Sequence, residues 1–273
     1  MLFNIFLHIF VERKSKTMPN TKIFISTHKP FNMLKKLPRE NYTIITNGIP
    51  LKTDLYDVIV VPKEFRDELG GYSDAEYSEV YMLKYLRKHQ ELLDGVDYVG
   101  LNHYRRVFEF QDKVPQLSDD GYDCVLPKPL EFGLDLYTQY AFCHNGDDLR
   151  LFAEIIKEIN EEVGDAFDKY LQGNKLFEFN MFVVKKELFN DVIDFEEKAF
   201  NEFIRRRGNI QEYINNHKDL YLKEFSPNNE LWYQYRVLGY LCERFCGFYI
   251  NHVSKNPLLQ KVLLLEGKYG YDL

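Results

Sequence analysis

Along the first two-thirds of the chain, short β-branched and aromatic runs alternate with stretches of helical apolar spacing. The first run, Lys22–Ser26 (KIFIS), leads into Ser-Thr-His-Lys-Pro and reads as a buried strand entering a loop. Tyr42–Thr46 and Tyr56–Val61 (YDVIVV) predict two more strands, each closed by a Gly or Pro. Gly70-Gly71 marks a loop. Ser73 or Asp74 then offers a cap for a helix with apolar positions Tyr77, Val80, Tyr81, Leu83, Tyr85 and Leu86. Asp97–Leu101 (DYVGL) and Tyr122–Leu126 (YDCVL) are further strands, the second stopped by Pro127 and Pro129. From Asp147 to Tyr170 the pattern is helical, with Leu149, Phe152, Ile155, Ile156 and Ile159 on one face. Phe179–Val184 (FNMFVV) is the last strand, and helices are expected over 186–206, 209–216 and 229–247.

Strands alternating with helices, then helices alone, predict an α/β fold with a mostly parallel central sheet and a helical C-terminal part. No repeat or low-complexity linker divides the chain, so residues 21–273 read as one Rossmann-like domain. The opening run MLFNIFLHIF is too short to span a bilayer, and its basic residues follow rather than precede it. Residues 1–20 are therefore read as a tail outside the fold, with a membrane-surface anchor as the alternative.

Composition narrows the function classes. A net charge of −7 over 273 residues gives no global attraction for nucleic acid, so any polyanion site has to be local. Twenty-two Phe and 20 Tyr supply a large core. Cys124, Cys143, Cys242 and Cys246 form no CxxC pair and read as reduced and mostly buried, as in a cytoplasmic protein. There is no GxGxxG after the first strand, no GxxxxGK[ST], no GxSxG and no HExxH. No two Asp stand at i, i+2, so the Asp-x-Asp that commonly holds a metal–diphosphate is absent. Asp119, Asp120 and Asp123 are the nearest to a carboxylate cluster and read as a solvated loop. No cofactor is expected, and a divalent metal is not required.

Ligands of open α/β sheets bind at the carboxyl ends of the strands. After the first strand stand Ser26, Thr27, His28 and Lys29; after DYVGL stand Asn102, His103, Tyr104, Arg105 and Arg106; after FNMFVV stand Lys185 and Lys186. Arginine forks and imidazoles at such ends predict an anion site.

The segments KIFISTHKP, YSDAEYSEVYMLKYLRKH, DYVGLNHYRRVF, FNMFVVKKELF and RVLGYLCERF occur in that order. Together they resemble the bacterial capsule and exopolysaccharide glycosyltransferase family catalogued as domain of unknown function 4422. The match runs from Lys22 to Ile250 and is most specific at GLNHYRR (Gly100–Arg106). The resemblance implies a GT-A-like fold, a nucleotide-sugar donor and a surface-glycan acceptor. It also implies donor-binding positions: Thr27, His28 and Lys29; Tyr77 and Glu79; Asn102, His103, Tyr104, Arg105 and Arg106; His144; Asn180; and Arg236 and Arg244 in the late helix. His103, Arg105 and Arg106 would then neutralise the diphosphate without Asp-x-Asp, and Glu178 and Glu243 are the candidate bases.

The leading expectation is a hexosyltransferase using a UDP-sugar, UDP-galactofuranose included, and extending a capsule, lipopolysaccharide or exopolysaccharide chain. A lipid-linked acceptor would bring it to the inner face of the cytoplasmic membrane, by peripheral association. The alternatives are another phosphate-substrate transferase and a non-catalytic nucleotide- or glycan-binding subunit of a polysaccharide assembly complex.

Overall fold

The β-branched runs form strands, and their directions decide which residues meet. The structure, a computed structural model, describes residues 20–29, 37–110, 114–115, 117, 120–223 and 229–264. The expected tail at residues 1–20 lies outside these, apart from Asn20. The strands are β1 (Thr21–Thr27), β2 (Tyr42–Asn47), β3 (Asp57–Val61), β4 (Tyr98–His103), β5 (Arg106–Phe108) and β6 (Cys124–Pro127). They continue with β7 (Leu130–Glu131), β8 (Lys175–Leu176), β9 (Phe182–Lys185), β10 (Pro257–Gln260) and β11 (Val262–Leu264). The central sheet has nine strands in the order β10-β6-β9-β4-β1-β2-β3, with β5 and β11 added beside β4. This is the expected α/β architecture with a mostly parallel sheet. Strands β3, β2, β1 and β4 run parallel, as do β6 and β10.

β9 runs against both of its neighbours, pairing Phe182 with Leu101 and Lys185 with Tyr98. The residues before β9, rather than those after it, therefore lie beside the carboxyl end of β4. This corrects the placement of Lys185 and Lys186 at the ligand edge. Lys185 stands opposite the start of β4, and Lys186 Nζ donates to the Leu93 carbonyl at 2.8 Å on the far side.

Among the described residues the helices pack against one face, and strand and loop residues fill the other. One face packs the larger core, including Phe24, Leu83, Val99, Leu101, Phe152, Phe200 and Phe245, and the other gathers Ile23, Ile25, Tyr42, Tyr98, Tyr104 and Val183. Period-two alternation along β4 sends Val99 and Leu101 to the first core and Tyr98 to the second. Among the described residues, no helix is long and apolar enough to cross a membrane. All four cysteines are free; Cys124, Cys242 and Cys246 are buried and Cys143 is half-buried.

Three helical expectations break into pieces. The helix expected from Asp147 divides into Gly146–Ile159 and Glu161–Leu171 because extended Asn160 ends one and caps the other, its side chain accepting from Val163 N–H at 3.1 Å. Ser73 does cap the helix after the glycines, in a reciprocal capping box with Glu76, but that helix stops at Tyr77. Ser78 then takes φ +57° before a second helix, Val80–Lys88. The stretch 229–247 becomes Leu231–Gln234 and Val237–Val253, with Arg236 at the break.

Helix Val237–Val253 crosses beside the segment leading into β9 at Gly247. A Cβ there would come within 2.4 Å of Phe177 Cβ and 3.3 Å of its carbonyl oxygen. Gly247→Ala is expected to cost about 1–3 kcal/mol by overpacking. A denaturation midpoint equal to that of the parent would contradict this contact.

Candidate active site

A cleft of about 310 Å³ opens at the carboxyl ends of β1 and β4, lined by Ser26, Thr27, His28, Asp74, Ala75, Ser78, Glu79, Met82, His103, Trp232, Tyr235 and Arg236. β1 and β4 pair in register, Ser26 opposite His103, so their ends arrive together. The chain then turns tightly at Tyr104 and Arg105, since β5 pairs back through His103 and Arg106. Tyr104 N–H donates to the Ser26 carbonyl at 3.0 Å, which ties this hairpin to the end of β1. Thr27 Oγ donates to the Lys29 carbonyl at 2.6 Å and fixes the turn that follows β1.

The cations of this edge stand out from the rest of the molecule. Arg39, Arg66, Arg87, Arg150, Arg205, Arg206, Arg207 and Arg244 each have a carboxylate within ion-pair distance. Among the described residues Arg105, Arg106 and Arg236 have none, and all three border the cleft or the hairpin at its end. Arg236 is instead aimed by neutral groups: its Nε donates to Ser78 Oγ at 3.1 Å, Nη2 donates to the same oxygen, and Tyr233 and Tyr240 lie beneath it. Gly239 lets Ser78 approach, since a Cβ there would meet Ser78 Cβ at 2.7 Å.

His103 faces the cleft with Nδ1 buried and without a hydrogen-bond partner among the described residues. Burial, reinforced by Arg106, Arg105, His28 and Arg236, pushes its imidazole down to about 3, so it is neutral in the empty cleft. His28 is also lowered, by partial burial first and then by Arg236 and Lys29, against the opposing pull of Asp74.

A carboxylate group adjoins the hairpin. Glu178 is pushed up to about 7 by burial and by Glu243, against the pull of Arg244 and Arg106. Phe179 and Asn180 follow it with φ of +74° and +51°, two successive left-handed residues that are not glycine. The turn is held from three directions. Phe179 N–H donates to Glu243 Oε1 at 2.9 Å, Asn180 Nδ2 donates to Glu79 Oε1 at 2.9 Å, and the Arg106 guanidinium lies 4.0 Å from the Phe179 ring centre. Arg244 stands 3.6 Å from Glu243 and donates to Gln139 at 2.5 Å. Such strain persists only where its surroundings over-determine it.

The structure thus brings Thr27, His28, His103 and Arg236 to the cleft, and Lys29, Arg105 and Arg106 to the hairpin beside it. Glu178, Asn180, Glu243 and Arg244 form the group next to Arg106. Four expectations need correction. Tyr77 is in the core, 2% exposed, against Phe200, Tyr72 and Lys84, because its helix turns Asp74 and Ala75 to the cleft. Asn102 is fully buried beside Tyr42, since strand alternation turns it to the face opposite His103. Tyr104 is a buried floor carrying His28, Lys29 and Arg105 on its ring, not an open stacking surface. His144 lies under the site, stacked on Tyr240 at 4.1 Å and bonded to Gln234 at 3.1 Å, with burial pushing it down to about 4. It supports the tyrosine platform of Arg236 and does not line the cleft.

Asp123 serves structure: its carboxylate accepts from Lys255 and Asn256 N–H at 2.7 and 2.9 Å, tying β6 to β10, while Asp119 lies outside the described residues. Among the described residues, the one group of three His, Cys, Asp or Glu with ligand atoms in mutual reach is Glu196, Cys242 and Cys246, which is fully buried in the core. The cleft residues bring no such set together, and no step is assigned to a metal. Asp74, Ser78, Trp232 and Tyr235 were not read from the sequence as ligand-facing. The one signal was Trp232, the only tryptophan in the chain.

The sheet order and the cationic cleft at its parallel strand ends define an α/β fold with room for an anionic ligand. The family profile of domain of unknown function 4422 (DUF4422) matches residues 22–256, and the chain belongs to that family. Among solved structures it is similar to the apo structure of WbbM, a bifunctional glycosyltransferase, with a TM-score of 0.59 and 19% identity. That similarity covers 91% of this chain and 46% of the other, so the chain spans about half the length of WbbM. A search of curated proteins finds no match.

Proposed function

We propose that the protein is a glycosyltransferase that moves a hexosyl group from a UDP-sugar to a growing surface glycan. The observation that carries this reading is that Arg236 and neutral His103 line one cleft while Arg105 and Arg106 stand on the hairpin beside it, all three arginines without a carboxylate in ion-pair distance among the described residues. Guanidinium forks without a carboxylate in ion-pair distance, two from the hairpin after β4 and one from the helix break at Arg236, suit a diphosphate, and donors fixed beforehand stabilise the charge that develops as it departs. The glycosyltransferase fold of the similar structure and membership of DUF4422 support the same reading.

In the proposed reaction the acceptor oxygen bonds the anomeric carbon, the bond from that carbon to the phosphate oxygen breaks, and the nucleoside diphosphate leaves with its electron pair. Arg105, Arg106, Arg236 and His103 receive that charge. Glu178 takes the acceptor proton, because its position near neutrality suits it to accept one at working pH. Glu243 is already committed to Phe179 N–H and Arg244 and acts as a positioning residue. The reading requires no divalent metal. It places the enzyme in the cytoplasm, at the membrane face where a lipid-linked capsule, lipopolysaccharide or exopolysaccharide acceptor is presented.

The test is a thermal-shift screen of UDP, GDP, CMP and dTDP with and without EDTA. A chelator-resistant rise with UDP, lost in Arg105→Ala, is the expected result. Absence of a shift with every nucleotide would overturn the reading.

A further inference from the structure

The chemistry above leaves one feature of the cleft unused. Trp232 is 61% exposed although it lines the cleft. Its indole N–H already donates to Glu230, and Tyr233 meets it edge-on, with centroids 6.0 Å apart at 86°. Its polar handle is satisfied while the ring face stays open to the cleft. The short helix beneath it is anchored: Gln234 is buried, donates to the Cys143 carbonyl at 3.0 Å and bonds His144, while Tyr235 OH donates to Asn215 at 3.0 Å. A large rigid ring on an anchored support, at the mouth of a cationic cleft, is a stacking surface for a flat ligand.

Asp74 lines the same cleft, and among the described residues its carboxylate makes no hydrogen bond or ion pair. A carboxylate only accepts hydrogen bonds, so facing the ring N3 it suits uracil, which carries N3–H there, and not cytosine, whose N3 is an acceptor. We propose that Trp232 is the platform on which the nucleobase of the donor stacks, and that Asp74 accepts the ring N–H of a uracil-type base. This rests on the UDP-sugar reading and adds to it the residues that hold the base.

Because Trp232 is the only tryptophan, its emission reports this position alone. Titration with UDP is expected to change that emission saturably, whereas inorganic pyrophosphate raises the melting temperature without moving it. Trp232→Leu is expected to weaken UDP binding, measured by calorimetry, roughly ten-fold or more and to leave pyrophosphate binding unchanged. Asp74→Asn is expected to narrow the preference for UDP over CDP. If UDP raises the melting temperature while the emission stays constant, the platform is wrong and the nucleotide reading stands. If neither UDP nor pyrophosphate binds, the nucleotide reading itself fails. Emission that responds to methyl galactoside but not to UDP would make Trp232 an acceptor platform and overturn the proposal.

Discussion

Arg106→Ala is expected to lower kcat/KM by about 10²–10³-fold, the loss that follows removal of one fixed donor to a developing anion. Arg106 is more enclosed than Arg105, and its charge works in two directions. Toward the cleft it adds to the burial that keeps His103 neutral and would add positive potential for the diphosphate; behind, it faces Glu178, Glu243 and Glu79. Removing it withdraws leaving-group stabilisation and leaves three carboxylates without their common cation. Glu178 would then rise further, so the pH at which activity appears should move upward in the same variant. Arg106→Lys is expected to restore part of the rate, because a point charge replaces a planar fork that also stacks on Phe179. Steady-state kinetics across pH check both parts. A loss smaller than five-fold with an unmoved profile would remove Arg106 from the mechanism.

Glu178→Gln carries the second large effect, a fall in kcat of about 10²–10⁴-fold with little change in the affinity for UDP. A base must be ionised to act. With Glu178 near 7, the parent rate should fall ten-fold per pH unit below neutrality and level off above it. In Glu178→Gln that limb should vanish along with the rate. Stability gives an independent reading of the same group. A carboxyl raised from 4.5 to about 7 favours the folded state when protonated, and that contribution is fully present below pH 4.5 and lost as pH rises through 7. The parent should therefore lose stability across this window more steeply than the glutamine variant. Equal slopes in thermal melts, with the acid limb of the rate retained in the variant, would pass the role of base to another group.

Strand existence was legible because β-branched runs closed by Gly and Pro allow few alternatives. Lys22–Ser26, Tyr42–Thr46 and Asp97–Leu101 all lie within observed strands, give or take a terminal residue. Strand direction was not. Nothing in FNMFVV says that β9 runs against β4, and that reversal moves Lys185 and Lys186 away from the site and brings Glu178 to Asn180 beside the hairpin. Side-chain facing failed for the same kind of reason. In Asn102-His103-Tyr104 a one-residue step turns the side chain to the other core, and a segment entering a turn gives no apolar alternation from which to tell which residue faces the ligand.

By itself, the sequence determined the α/β class, the order of the longer strands and helices, and the basic cluster Asn102–Arg106 at a strand end; it missed β5, β7 and β8, and β10 and β11 overturn the reading of Phe179–Val184 as the last strand. Each feature it determined depends on residues close in sequence, through periodicity, turn chemistry and the fixed reach of the backbone. Only the tertiary structure decided which arginines are left without carboxylates, how far Glu178 is raised, why Phe179 and Asn180 hold left-handed backbone, and that Trp232 stands at the mouth of the cleft. These properties are differences between what a side chain would find in water and what distant segments offer it on folding, and no local pattern encodes that difference.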